Sequence, residues 1–429
     1  MAVSTFAPED RPQLRWPLDI SPIDEAGKSQ YLFRDPLGVA SESLVIPGPL
    51  IPIISRFDGT RSIREIATDG AAHGVTLELV LAIAQTLSQH YFLLTTGFEE
   101  RFSENATTFR QSPLREAVHA GKVYPDDPMA LRAVLDKYLR DVPEVPLSGS
   151  SLDRVCAFIS PHIDYHRGWK TYAAGFKALQ RIHPPDVIFL LGTAHQPGEG
   201  IFHFTKKAFA TPFGPIPCAT EVVDGIVQQI GAERAYRSEL LHRQEHSLEL
   251  QLPFLHHRFA DHYRPDSNQP QPALVPILVG SFHEYLLRGQ EPQEHGEASD
   301  VIGALAESIK SLKAQGKKAL FHGGVDLAHV GLQFGDKIRV SDTGLTLVES
   351  RDRELLDHIL RGDERGLFGH IAADLDQRRI CGFPSIYTML SALRLAGISV
   401  RGHLIEYRQA VEPRSDCVVT FASAIWEEI

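Results

Sequence analysis

The sequence predicts an α/β protein in which a central sheet carries helices on both faces, preceded by a small winged-helix-like domain at the N-terminus. Two observations predict the large domain: strand-like apolar runs recur after about residue 113, and amphipathic segments of helical period alternate with them. A third predicts the small domain, because two short helical patterns and an apolar run precede residue 105. With 429 residues, the chain has room for both domains.

The N-terminal elements follow from composition and period. Residues 1–29 are rich in proline and charge and have no sustained period, so we expect a poorly ordered lead-in. Within 30–105, Ile63, Ile66 and Ala67 recur at helical spacing. A second helix is predicted over 76–89, the apolar run YFLLTT after it predicts a β-wing, and the polar stretch FSENATTFRQSP predicts a linker.

The second predicted helix does not favour DNA binding. It contains no Lys or Arg and carries Glu78, whereas a recognition helix needs basic residues. Docking of a peptide or a protein domain is therefore the better interpretation. Over residues 30–105, and in its FDGTRS turn, this region resembles the PqqD-like peptide-recognition domains that stand beside radical-SAM enzymes. The resemblance implies a peptide or a radical-SAM enzyme as partner.

The large domain is predicted over 113–429. Because ligand sites in such sheets gather at the carboxyl ends of the strands, polar residues that follow a strand are candidates for function. The predicted helices are GWKTYAAGFKALQ, EVVDGIVQQIG and PSIYTMLSALRLAG. The predicted strands are VCAFIS, VIFLLG, ALVPILVG, KALFHGG, VRGHLIEY and CVVTFASAIW.

Composition excludes several classes of protein. The formal net charge of −11 opposes binding to nucleic acid and to anionic membranes. No apolar stretch reaches the ~18–20 residues that span a bilayer, and the N-terminus lacks a signal-peptide pattern, so we expect a cytoplasmic protein. The four cysteines form no CxxC pair, which argues against a zinc ribbon and a disulfide framework. The chain also lacks GxGxxG, GxSxG and HExxH motifs.

Three histidines follow predicted strands. His162 comes after VCAFIS, His195 after VIFLLG, and His329 after KALFHGG, with Asp326 just before it. Taken singly, each histidine is more simply a loop residue bonded to a backbone carbonyl. Together they favour a shared site, since imidazole and thiolate suit iron, copper or zinc. Asp326 either orients His329 or a metal-bound water, or caps the turn.

Cys381 is the cysteine that we expect to bind a metal or to react. It lies just ahead of a helix that Pro384 can start, and the helix N-terminus favours a thiolate. In EHSLELQLPF, a helix would place Glu245 and Glu249 on one face and His246 on a neighbouring face, where they could bind a cation or move protons. The alternative, which local pattern favours, is an amphipathic helix whose leucines pack inward and whose charges face water.

The motifs resemble those of the Memo family, also called AmmeMemoRadiSam system protein B, over about residues 113–429. The matching segments, in order, are HAGKVYP, SPHIDY, LGTAH, EHSLELQLPF, VDLAH and CGFPSIYTML. The resemblance implies a fold similar to the class III extradiol dioxygenases and a metal bound by His162, His195 and Cys381. It also implies that His329 acts as acid or base with Asp326 beside it.

One position departs from the family pattern, because SPHIDY carries Asp164 where a glycine is usual. We expect Asp164, Glu245, His246 and Glu249 to contact substrate. The leading hypothesis is an iron- or copper-dependent redox enzyme that works within a radical-SAM-associated system, with zinc hydrolysis ranked below it. The alternative is a non-catalytic peptide-binding or scaffold protein on the same fold.

Overall fold

The computed structural model describes residues 6–25, 28–40, 42–144, 152–180, 182–264, 266–414 and 416–429. The chain divides into two compact units, Met1–Ser112 and Pro113–Ile429. Among the described residues, no helix combines the length and the apolar character needed to cross a membrane.

The first unit contains a three-stranded antiparallel sheet in the order β1-β2-β3, with four α-helices after it. Its strands and helices are β1 (Asp19–Glu25), β2 (Lys28–Arg34), β3 (Leu44–Pro47), α1 (Ile51–Ile54), α2 (Ile63–Gly70), α3 (Leu77–Gln89) and α4 (Thr96–Gln111).

The two predicted helices of this unit are confirmed as α2 and α3. Ser62 and Glu65 form a reciprocal capping box at the start of α2, and the Thr76 side chain caps α3. The predicted face of α2, which contains Ile63 and Ile66, is buried in the core of the unit. Local capping and period therefore suffice to define these helices.

Three N-terminal expectations are wrong. Part of the expected lead-in forms β1, which pairs with β2 along its full length. The run YFLLTT forms no wing strand: Tyr91 has a left-handed φ of 61°, and Leu93 makes only an isolated bridge to Leu14. The expected linker belongs to α4, because Thr95 caps it and Phe109 on one face is buried. A winged-helix arrangement is therefore not confirmed.

The second unit contains the large sheet and the remaining helices. Its strands are β4 (Leu114–Arg115), β5 (Val155–Ser160), β6 (Val187–Thr193), β7 (Phe202–Phe204), β8 (Ala208–Thr211), β9 (Gly214–Ile216), β10 (Ala273–Val279), β11 (Ala319–Gly324), β12 (His329–Val330), β13 (Val400–Glu412) and β14 (Cys417–Glu428). Its helices are α5 (Pro128–Asp141), α6 (Tyr165–Leu179), α7 (Thr220–Ile230), α8 (Ala232–Tyr236), α9 (His246–Glu249), α10 (Leu252–Arg258), α11 (His283–Arg288), α12 (Gly296–Ala314), α13 (Asp342–Leu360), α14 (Glu364–Ala372) and α15 (Phe383–Leu395).

The mixed α/β prediction is confirmed. The main sheet has eight strands in the order β12-β14-β5-β11-β6-β10-β7, with β13 also paired to β14. Strands β5, β11, β6 and β10 run parallel, and β14 and β7 are antiparallel to their neighbours. All six predicted strands are present, and the three predicted helices are α6, α7 and α15.

The central strands are apolar on both faces because both faces are covered. In β6, Phe189 and Leu191 belong to one core cluster, whereas Ile188 and Leu190 belong to another. A strand buried on both sides reads as a continuous apolar run without polar alternation. This packing explains why the sequence signal for these strands is strong.

The register of the parallel strands brings their carboxyl ends together. Gly324 at the end of β11 pairs with Ser160 of β5 on one side and Gly192 of β6 on the other. The residues that follow these three positions therefore emerge at the same edge of the sheet. His162 and His195 lie in these segments, as predicted from their positions after the strands.

Candidate metal centre

His162, His195 and Cys381 lie together at the carboxyl edge of the main sheet. One ligand atom from each, an imidazole nitrogen or the thiol sulfur, falls within 4.8 Å of the other two. Cys381 Sγ is 3.3 Å from His162 Nε2. The structure thus assembles the three residues that the sequence singled out, although His162 and Cys381 are 219 positions apart.

His162 is held in one orientation and one tautomer. Its Nδ1 lies 2.9 Å from the carbonyl oxygen of Gly324, which can only accept a hydrogen bond, so Nδ1 carries the proton. Nε2 is left with its lone pair on the side of Cys381. Burial lowers the pKa of His162 well below its ordinary value. The side chain is therefore a neutral imidazole that can donate to a cation.

His195 is oriented by the carboxylate of Glu245. Glu245 Oε1 accepts from Nδ1 of His195 at 3.0 Å, and Oε2 accepts from the His195 backbone N–H at 2.9 Å. Burial opposes charge on His195, but the Glu245 carboxylate raises the pKa of His195 well above its ordinary value. A carboxylate behind the imidazole, with Nε2 facing the ligand cluster, is the arrangement found behind metal-binding histidines.

The Glu245 carboxylate is engaged by hydrogen bonds within the protein. Glu245 is the N-cap of α9, where Oε1 accepts from the backbone N–H groups of His246 and Ser247 at 2.8 and 3.0 Å. Although burial alone would raise it, the pKa of Glu245 is held well below its usual range by the His195 and His246 rings. Its carboxylate is saturated by the hydrogen bonds that position the site.

Of the interpretation of EHSLELQLPF as one amphipathic helix, the inward packing of the leucines is confirmed, but the single helix with charges facing water is wrong. The segment forms two short helices, α9 and α10, separated at Leu250 and Gln251. Glu249 is 0% exposed, and its carboxylate binds the Arg115 guanidinium, the Tyr124 hydroxyl and the His119 backbone N–H. This places Glu249 in a buried ion pair and not on a substrate surface.

His246 lies beside the three candidate ligands. Its ring stacks on His195 with centroids 4.7 Å apart, and its Nδ1 is 3.1 Å from Glu245 Oε1. The potential ligand atoms of His195, Glu245 and His246 also lie within 4.8 Å of one another. Glu245 lies at hydrogen-bond distance from both rings and already accepts three backbone N–H groups, so we interpret this set as a hydrogen-bond network.

The environment of Cys381 differs from the expected one. Helix α15 begins two residues later at Phe383, and Sγ contacts the Asp326 carbonyl and His162 rather than the helix amides. Burial raises the pKa of the Cys381 thiol, which contradicts the expected stabilisation of a thiolate by the helix. Binding of a metal is then the step that would release the thiol proton.

Asp326 contacts His162 and not His329. Oδ1 accepts from the His162 backbone N–H at 3.0 Å, and Oδ2 lies 3.6 Å from His162 Nε2. Burial raises the pKa of Asp326 to about 7. The expectation that it orients His329 is wrong, because Nδ1 of His329 instead faces the carbonyls of Leu327 and Arg379 at 3.1 and 3.2 Å.

Asp164 caps a helix. Its side chain accepts from the Arg167 backbone N–H at 3.1 Å at the start of α6 and from Arg167 Nε at 2.6 Å. The carboxylate that replaces the usual family glycine is therefore engaged locally. The structure gives no support to its expected contact with substrate.

Sequence reasoning missed Gln251, which forms hydrogen bonds with the segments next to His162 and Glu245. Its Nε2 donates to the carbonyls of Pro161 and Ser247, and its Oε1 accepts from the Ser160 hydroxyl. Gln251 is fully buried. The available signal was a glutamine placed between two leucines in a segment otherwise assigned to packing.

Comparison with known proteins agrees with the motifs. The family model described as Memo-like protein matches residues 115–425. A MEMO1 family protein of Aquifex aeolicus is 22% identical over 97% of this chain and 100% of its own length. MEMO1 family proteins of Thermus thermophilus and Pyrococcus furiosus are 27% and 28% identical over 76% and 73% of this chain, and over 86% and 98% of their own lengths.

The family model therefore covers most of the second unit, including every strand end that carries a candidate ligand. The likeness to the class III extradiol dioxygenases and the PqqD-like assignment stay predictions. On the family match, the chain belongs to the Memo-like protein family.

Proposed function

We propose that His162, His195 and Cys381 bind one transition-metal ion and that the chain is a metal-dependent redox protein. The observation that carries the proposal is the convergence of three ligand atoms within 4.8 Å from three separate segments of the chain. Two of these segments directly follow parallel strands, and such strand ends are the usual place for a ligand site in an α/β sheet.

The residues fit a transition metal. Each histidine has its Nδ1 bound to an acceptor, the Gly324 carbonyl or the Glu245 carboxylate, so Nε2 is the atom that each offers. Two imidazoles with a thiolate form a donor set that suits iron, copper or zinc, and not magnesium or calcium. We expect iron or copper rather than zinc, because a soft thiolate ligand adjusts the redox behaviour of iron and copper.

A bound iron or copper ion supplies one-electron redox chemistry. Around it, the protein supplies groups that hold protons. Asp326, with its pKa raised to about 7 by burial, can keep or release a proton on Oδ2 near neutral pH. Burial lowers the pKa of His329 to about 4, so with Nδ1–H facing backbone carbonyls its Nε2 is a free proton acceptor.

The test is elemental analysis of anaerobically purified protein, with iron, copper and zinc measured per chain. Wild type is compared with His195→Ala and Cys381→Ala, and Asp164→Asn is the control because Asn keeps the helix cap of α6. We expect about one iron or copper per chain in wild type and in the control, and loss of the metal from both ligand variants.

The other outcomes separate the alternatives. Zinc in wild type and its loss from both variants would keep the site but favour hydrolytic chemistry. Protein that takes up no metal, even when metal is offered, would contradict the proposal and favour the non-catalytic scaffold. The peptide or radical-SAM partner and the cytoplasmic location stay predictions.

A further inference from the structure

A cavity of about 390 Å³ lies next to the candidate metal centre. It opens beyond the carboxyl ends of β6 and β10, where Ala194 and Gly280 line it, and it shares Cys381 with the metal centre. The volume is within the ~300–1,000 Å³ range of small-molecule pockets. None of His162, Glu245 and His246 lines it, so the cavity has its own recognition surface.

The inner wall of the cavity is apolar. Phe282, Leu286, Ile380 and Phe383 line it, and each is at most 4% exposed. The Phe282 and Phe383 rings meet edge to face with centroids 5.7 Å apart, which is a favourable arrangement for two aromatic side chains. A flat apolar group placed against these residues would bury its surface away from water, and the four side chains would not have to move.

The outer wall includes the polar residues Ser281, His283, Asp376 and Arg379, of which Asp376 supplies a carboxylate and Arg379 a guanidinium. Arg379 donates to Asp336 and to the carbonyls of His329 and Gln377, which uses three of its five N–H groups. Asp376 accepts from the Ile380 backbone N–H at 2.8 Å through Oδ1, and its Oδ2 has no partner in the described parts of the chain. Arg379 and Asp376 therefore both keep unused hydrogen-bonding capacity.

The backbone fixes this donor and acceptor in place. Leu375, Asp376 and Arg379 all have left-handed φ values, of 54°, 57° and 54°. Such conformations are uncommon outside glycine and cluster where surrounding structure imposes them, often at binding sites. Here the Arg379–Asp336 pair and the buried Arg378–Asp352 pair hold the segment. The two polar groups are consequently preorganised on one side of the cavity.

We propose that this cavity binds a neutral amphipathic molecule whose flat apolar body ends in a carboxamide. The amide carbonyl accepts from Arg379, and the amide N–H donates to Asp376. A carboxylate in the same place would be repelled by Asp376, and an amine would be repelled by Arg379, so neither charged group satisfies both residues. The proposal deepens the proposed function and rests on it for one point, that the bound molecule lies against the metal ligand Cys381.

The experiment uses three matched probes: naphthalene carboxamide, naphthalene carboxylate and naphthylmethylamine. Calorimetric titrations are done at about pH 8, where Asp376, whose pKa burial raises to about 6, is ionised. They are made first on metal-free protein, so failure to bind a metal leaves the result interpretable, and then on cobalt-loaded protein. We expect the carboxamide to bind at least about tenfold more tightly than either charged probe, since Asp376 repels the carboxylate and Arg379 repels the amine.

Two variants locate the binding. Leu286→Trp fills the cavity and should lower carboxamide affinity by at least about tenfold, with the melting temperature as a check on folding. Asp376→Asn removes the negative charge but keeps the acceptor for Ile380, and asparagine tolerates the left-handed conformation. This variant should raise carboxylate affinity until it approaches that of the carboxamide.

The proposal is overturned if the carboxylate or the amine binds wild type as tightly as the carboxamide, or if no probe binds. It is also overturned if a folded Leu286→Trp variant retains the affinity, or if Asp376→Asn leaves the preference unchanged.

Discussion

Glu245 and Glu249 show how strongly position decides the role of a side chain. They are four residues apart in sequence, yet Glu245 supports His195 and Glu249 neutralises Arg115. Both are buried, with exposed fractions of 8% and 0%. A buried carboxylate needs a charged or hydrogen-bonding partner, and each has found a different one.

Changing Glu245 should weaken metal binding without unfolding the chain. Glu245→Gln keeps an oxygen that can cap α9 but removes the negative charge behind His195. Loss of such a carboxylate typically lowers metal affinity about 10–100-fold. A competition titration with cobalt and a chelator measures this affinity. Asp164→Asn is the control and should bind cobalt like wild type; equal affinity of Glu245→Gln and wild type would contradict the role.

Changing Glu249 should lower stability. Glu249→Gln leaves the Arg115 guanidinium buried without its counter-charge, which we expect to cost about 3–5 kcal/mol in the free energy of unfolding. Urea unfolding of wild type and variant measures the difference. If the loss is below about 1 kcal/mol, the pair behaves like a surface salt bridge and the assignment is wrong.

At the level of elements, the close approach of α9 to the sheet positions the site. A Cβ built on Gly192 of β6 would meet Ser247 Oγ at 2.5 Å, and one on Gly324 of β11 would meet the Ser247 backbone carbonyl. The helix carries Glu245 at its N-terminus, while Gly324 accepts from His162. The two glycines therefore let one short helix lie against β6 and β11.

Substitution at Gly324 should disturb this packing. Gly324→Ala forces a methyl group against backbone that cannot rotate away, so we expect a loss of about 1–3 kcal/mol and weaker cobalt binding. Gly303→Ala in α12 is the matched control, because nothing lies within 4 Å of its Cβ. Alanine there should stabilise the helix by roughly 0.5–1 kcal/mol. Equal melting temperatures for the two variants would contradict the packing argument.

For the whole molecule, the buried histidines make stability depend on pH. Burial lowers the pKa of His242 and His322 to about 3, and that of His203 and His256 to about 4. Unfolding returns these groups to an ordinary pKa of about 6.5. The unfolded chain therefore binds more protons than the folded one between about pH 6.5 and 3.

The histidine contribution to the free energy of unfolding should consequently be complete above about pH 6.5 and should be lost as the pH drops towards 4. Asp326 and Asp376, whose pKa values burial raises to about 7 and about 6, act in the opposite sense, but the histidines outnumber them. Urea unfolding at a series of pH values gives the slope. His322→Phe, packed against Phe158 and Phe176, should make the slope shallower; an unchanged slope would show that His322 does not contribute.

Much of the second unit could be predicted from local pattern. The run VCAFIS coincides with β5, and CVVTFASAIW lies within β14, because continuous apolar runs mark strands that are covered on both faces. The N-terminal unit was harder. Helix α4 has a polar sequence with few buried positions, and YFLLTT is apolar without forming a strand, so tertiary packing overrode local preference in both.

The sequence by itself determined six of the eight strands of the main sheet and the placement of His162 and His195 after two of them, because continuous apolar runs are a local feature. Only the tertiary structure decided which side chains form hydrogen bonds and ion pairs with one another. Glu249 meets Arg115 across 134 positions, and Glu245 meets His195 across 50. Burial likewise raised the pKa values of Cys381 and Asp326. Hydrogen-bond partners and desolvation depend on segments that are distant in sequence, and local pattern does not encode them.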